Sequence, residues 1–133
     1  MSQNRISANL AAVEAHFASE STGRIEDAID LYTDDVVWEA PARNLVISGK
    51  EAVAANYRDI FSVLSHVEFH TKDRFSTDDR VVDDSVVTFQ VAKEGFVPFP
   101  VGTKCEMRLT HIFEMRDGKI SKEIGIEGPP KER

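Results

Sequence analysis

The chain has 133 residues, 41% hydrophobic and 29% charged, with a net charge of −7 and an isoelectric point near 5.1. This suits one water-soluble domain, 1–133 with its core at 4–128, large enough to bury a real core. The acidic balance speaks against nucleic acid, whose phosphates need a basic face, and no run approaches the ~18 apolar residues of a membrane span. Cys105 is the only cysteine, so no internal disulfide can form, and an apolar setting suggests a buried, inert thiol. The polar start carries no apolar run behind basic residues, so no secretory leader is expected and the cytoplasm is the expected location.

From Asn4 to Glu20, Ile6, Leu10, Val13 and Phe17 step by four, three and four, which predicts a helix with one apolar stripe. His16 lies beside that stripe. Ser21-Thr22-Gly23 breaks it, and Arg24 to Tyr32 reads as a second helix, closed by a polar turn at Asp34-Asp35. Val36–Ala40 is a short strand ended by Pro41, which cannot donate to a ladder. A loop follows. Ser48-Gly49-Lys50-Glu51 then reads as a capping box opening a third helix to about Ser65, with Val53, Tyr57, Ile60, Phe61 and Leu64 inward.

From Val67 onward the period changes to two. Strands are predicted near Val67–Phe75, Arg80–Val82, Ser85–Lys93, Thr103–Met115 and Lys119–Glu127, with polar turns at Thr77-Asp78-Asp79 and Asp83-Asp84. The tail from Gly128 is expected to be loose. Helices gathered on one face of such a sheet give an α+β fold. If the sheet curves round the first and third helices, a closed-end cavity forms between them.

The strongest local signal is Asp117-Gly118, a hairpin turn between two alternating runs. Before it, Cys105, Met107, Leu109, His111, Phe113 and Met115 share one face, apolar except for one imidazole. After it, Glu123 and Glu127 share a face with Gly125, while Ile120, Ile124 and Ile126 take the other. His111 inside an apolar stripe, with carboxylates on the paired strand, is the best chemical lead. Imidazole titrates near neutrality and can act as acid or base. A backbone-satisfied core histidine is the plainer alternative. His66, Glu68 and His70 would share a strand face at ligand-like spacing, but no further ligand is evident nearby, and a solvated face accounts for them without a metal.

The order of elements and three local motifs resemble the nuclear transport factor two-like superfamily, in its SnoaL-like polyketide cyclase and ketosteroid isomerase branches. The motifs are Leu31-Tyr32-Thr33-Asp34-Asp35-Val36-Val37-Trp38-Glu39-Ala40-Pro41, Ser48-Gly49-Lys50-Glu51-Ala52 and His111-Ile112-Phe113-Glu114-Met115-Arg116-Asp117-Gly118-Lys119-Ile120. The resemblance implies a cone of three N-terminal helices on a curved, mostly antiparallel sheet, with a mouth that admits a small apolar ligand. It also implies a dimer. In the isomerases the residue before the proline that ends strand one is a carboxylate base; here it is Ala40. His16 stands where they use a donor tyrosine, Tyr32 and Tyr57 where supporting tyrosines sit, and His111 where they use a protonated acid. Limonene epoxide hydrolases, another branch, need an Arg-x-Asp on a middle strand, where this chain has Phe89-Gln90-Val91, and an aspartate near Gly125.

The resulting expectation is a cofactor-independent acid–base enzyme of cyclase or isomerase type, acting on an apolar carbonyl-bearing ligand. His111 would be the acid or base, Glu123 its partner and His16 a donor. Trp38, Tyr57, Phe61, Met107, Tyr32 and Glu127 would contact the ligand. A non-catalytic binding module, or a dimeric assembly domain, is the alternative on the same fold. Thr110, Ile112, Ile124 and Ile126 on the outer face need cover, which a sheet-to-sheet homodimer would supply.

Overall fold

The computed structural model describes residues 3–133. Helices α1 (Gln3–Ser21) and α2 (Ile25–Ile29) come first, then β1 (Tyr32–Ala40), a 3-10 turn (Pro41–Arg43), β2 (Leu45–Ser48) and α3 (Lys50–Val63). Strands β3 (Leu64–Ser76), β4 (Arg80–Val91), β5 (Lys104–Arg116), β6 (Lys119–Glu127) and β7 (Lys131–Glu132) follow. They form one curved, open sheet in the order β2-β1-β6-β5-β4-β3, with β7 beside β5. Every pairing is antiparallel except β1 with β6. The fold is α+β, with its helices on a mostly antiparallel sheet.

Alternation makes the inner face. Cys105, Met107, His111, Phe113 and Met115 of β5 are all buried, as their spacing predicts. From α1, Val13 and Phe17 pack with Phe113, Tyr32, Trp38 and Tyr57 in one apolar cluster. Each such buried side chain is worth about 1.5–3 kcal/mol. A second cluster, with Val67, Val87, Phe89, Val97 and Met107, fills the other end of the sheet.

Several local expectations are corrected. The second helix ends at Ile29, and Tyr32 and Asp34-Asp35 belong to β1. The capping box does not form: α3 begins after Gly49, at φ 91°, and no side chain caps it. The loop after Pro41 contains β2, reached through Asn44 in the left-handed region at φ 52°. Asp83-Asp84 is no turn. It lies inside an unbroken β4 whose buried residues alternate as Val81, Asp83, Ser85, Val87 and Phe89. Asp83 can be buried because Arg74 Nε donates to it at 2.7 Å and Ser85 Oγ at 2.6 Å. His66 is left-handed at φ 53°, where the β3–β4 register slips between Ser65 and Glu68, so the strand face assumed for it is interrupted. The tail is tied down through Gly128 N to Arg108 O at 2.8 Å and through the β7–β5 pairing.

The correction that matters most lies in β6. Glu114 pairs with Lys122, but Met115 pairs with Ile120, so the strand carries one extra residue, Ser121. A bulge of this kind resets which residues face inward. Ile120 and Glu123 are therefore both buried, although strict alternation sets them on opposite faces.

Candidate active site

Four elements converge on Glu123 of β6. His16 and Glu20 are four apart on α1 and so share a face. Tyr32 and Trp38 come from β1, Tyr57 from α3 and His111 from β5. All are buried. Tyr32 OH donates to Glu123 Oε1 at 2.7 Å, and Trp38 Nε1 donates to Oε2 at 3.3 Å. His111 Nε2 lies 3.4 Å from Oε2, and His16 Nε2 lies 3.5 Å from Oε1.

His16 is fixed at both nitrogens. Nδ1–H donates to the Ala28 carbonyl at 3.0 Å, and Nε2 is 3.0 Å from Glu20 Oε1 and 3.3 Å from the Tyr57 hydroxyl. Burial alone would push this imidazole down. The charge of Glu20, and the hydrogen bonds to Glu123 and Glu20, outweigh that and raise it to about 10. Burial likewise pushes the Glu123 carboxyl up. The hydrogen bond from His16, the attraction of His111 and His16, and the Tyr32 hydroxyl reverse this and hold it at about 2. Burial and the nearby carboxylates lift the Tyr32 and Tyr57 hydroxyls well above their usual range, so both remain neutral donors. At neutral pH, His16 is thus a buried cation between two carboxylates.

His111 differs from His16. It stacks on Phe113 at 15° and meets Phe17 edge-on, with ring centroids 5.3 Å away in both cases. One nitrogen faces Glu123; the other, Nδ1, has no hydrogen-bond partner. Across the sheet it pairs with Asp83 on one side and Gly125 on the other. A Cβ at Gly125 would lie 3.9 Å from the His111 ring, so glycine leaves that side open.

A cavity of about 70 Å³ reaches this group. Of the residues singled out from sequence, Trp38, Tyr57, Phe61, Met107, His111, Glu123 and Glu127 line it. His16 and Tyr32 stand behind its wall, each with 0% exposure. At the mouth, Arg43 donates to both oxygens of Glu127, at 3.0 and 2.9 Å. Two participants were missed from sequence, Glu20 and Arg43, and so was the burial of Asp83. Glu20 had a readable signal, its spacing of four from His16. Asp83 was hidden by taking Asp-Asp for a turn. Ala40 is fully buried, and Glu39 beside it turns outward to Lys122 at 3.2 Å. Among the described residues, no three His, Cys, Asp or Glu side chains are grouped to hold a metal ion.

The SnoaL-like domain model matches residues 13–123. The chain therefore belongs to the SnoaL-like family within the nuclear transport factor two-like superfamily. No curated protein matches it. Among solved structures, it resembles a candidate polyketide cyclase from Xanthomonas campestris pv. campestris at 16% identity and TM-score 0.77, covering 93% of each chain. An LEH-like epoxide hydrolase of M. tuberculosis is similar at 15% identity and TM-score 0.75, over 92% of this chain and 84% of that one. TerC, co-crystallised with polyporic acid, is similar at 20% identity and TM-score 0.71, over 91% and 92%. At such identities the likeness speaks for the α+β cone fold, and the chemistry must be argued from the site.

Proposed function

We propose that this protein is a cofactor-independent acid–base enzyme of cyclase or isomerase type, acting on a small apolar carbonyl-bearing ligand. One observation carries the proposal: His111 lines an apolar cavity with one nitrogen beside a buried carboxylate and the other unpartnered. With Nε2–H turned toward Glu123 Oε2, the lone pair falls on Nδ1, a buried atom that a ligand reaches as the cavity wall opens; this is the arrangement of a general base. Hydrogen bonds in an unliganded site are often long, so 3.4 Å is compatible with the role. Glu123 orients the ring and stabilises the imidazolium formed on proton uptake. His16, Tyr32 and Glu20 act one layer out by keeping Glu123 ionised and in place. Trp38, Tyr57, Phe61 and Met107 supply the apolar wall, and Glu127 sits at its rim.

A binding module on the same fold is the second reading, and Ala40 favours it, because the isomerase base position holds no proton acceptor. We also propose a homodimer through the outer sheet face. Small molecules released from the purified protein, identified by mass spectrometry, supply the ligand for the test. His111→Ala is expected to keep affinity within a few-fold and to lose about 10²-fold or more in turnover. Loss of affinity alone would support the binding module instead.

A further inference from the structure

The inner cavity, at about 70 Å³, is small for a binding site. Ligand pockets commonly run to ~300–1,000 Å³. A second hollow of about 350 Å³ adjoins it, walled by Ala42, Val97, Pro98, Pro129 and Pro130. Arg43, Phe96, Met107 and Glu127 line both hollows, so these side chains form the partition between them.

Arg43 is the most exposed member of that partition. Its guanidinium lies 5.5 Å from the Trp38 ring centroid and 5.2 Å from that of Phe96, and it is paired with Glu127. The Arg43 side chain is 32% exposed, so this ion pair is partly solvated. Both side chains keep some contact with solvent, so swinging the arginine outward strands neither charge in the interior. The outer wall is built rather than accidental. Gly128 sits so close to β5 that a Cβ there would lie 3.3 Å from Arg108 Cβ, and β7 pairs with Cys105 and Glu106. Together these hold Pro129-Pro130 against the hollow.

We infer that the two hollows are one ligand site divided by the Arg43 side chain, and that it takes an elongated apolar carbonyl compound. The carbonyl end enters the inner cavity toward His111 and Glu123. The apolar body lies in the outer hollow between the 92–103 loop and the C-terminal prolines. This rests on the acid–base reading only for which end goes inward; the length preference stands without it.

Trp38 is the only tryptophan and lines the inner cavity beside Arg43, so its fluorescence reports binding. Acetophenone serves as the short probe and 4-phenylacetophenone as the long one. The long probe is expected to bind at least tenfold more tightly. Ala42→Phe, at an exposed position on the outer wall, is expected to abolish that gain and leave acetophenone unchanged. In stopped-flow experiments Arg43→Ala is expected to speed association of both probes at least tenfold. Glu127→Gln, which weakens the arginine's ion pair, should act in the same direction. Equal affinity for the two probes, an Ala42→Phe effect equal on both or absent from both, or unchanged association in both gate variants would overturn the inference. His111→Ala is expected to keep the length preference, so failure of the acid–base reading and failure of the two-hollow site give different results.

Discussion

The placing of His16 between Glu20 and Glu123 has a direct consequence for stability. Its pKa rises from 6.5 to about 10 on folding, so its contribution is fully present below pH 6.5 and is lost as the pH climbs through 10. Glu123 moves the other way, from 4.5 to about 2, so its contribution holds above pH 4.5 and is lost as the pH falls through 2. In urea unfolding, the gap between wild type and His16→Gln should be widest below pH 6.5 and shrink toward pH 10. A gap that stays constant from pH 6 to 10 would contradict the imidazolium assignment. Glu123→Ala removes the shared acceptor of Tyr32 and Trp38 and one partner of the buried cation. It should cost about 3–5 kcal/mol, the usual result of stranding a buried charge. His111 and Glu123 were legible as a pair because a lone imidazole and a carboxylate fell on facing strands. Glu20 and Asp83 were not, because a buried carboxylate looks like a surface one until its partners are known.

At the scale of elements, the β5–β6 hairpin sets the site. Asp117 and Gly118 both have positive φ, 53° and 77°, as a two-residue hairpin turn with the strands' twist requires. Gly118→Ala forces a side chain into the left-handed region and should destabilise the protein by about 1–2 kcal/mol. Nothing lies within 4 Å of a Cβ there, so the loss should be conformational and leave probe binding at Trp38 unchanged. Denaturant midpoints and fluorescence titrations of the variant measure both. The Asp-Gly turn was legible because its chemistry is local. The Ser121 bulge was not, because it is a relation between two strands: Ser121 Oγ bonds Glu114 O at 3.0 Å across the ladder. The capping box failed for a similar reason. Gly49 N is already taken by Val36 O at 2.8 Å, so the turn is set by β1 rather than by the Ser48 side chain.

For the whole molecule, the α+β cone followed from the switch between helical and alternating periods and from the order of motifs. What periodicity could not show was closure at the wide end, where the 3-10 turn, the 92–103 loop and the tethered tail meet. The outer face of the sheet remains as an expected interface. Ile126 is 46% exposed there, beside half-buried Thr110, Ile112 and Ile124. Sedimentation should therefore give about twice the chain mass of 14.9 kDa, and Ile124→Lys with Ile126→Lys should return it to the single-chain value. A single-chain mass for wild type at micromolar concentration would remove the homodimer from the proposal.

The acid–base claim can be tested without the natural substrate, by following α-proton exchange of acetophenone in D2O by NMR. A base at Nδ1 of His111 should speed exchange above the buffer rate, and His111→Ala should remove about 10²-fold of that acceleration while the probe still binds. Exchange as fast in His111→Ala as in wild type, or no acceleration by wild type with the probe bound, would contradict it.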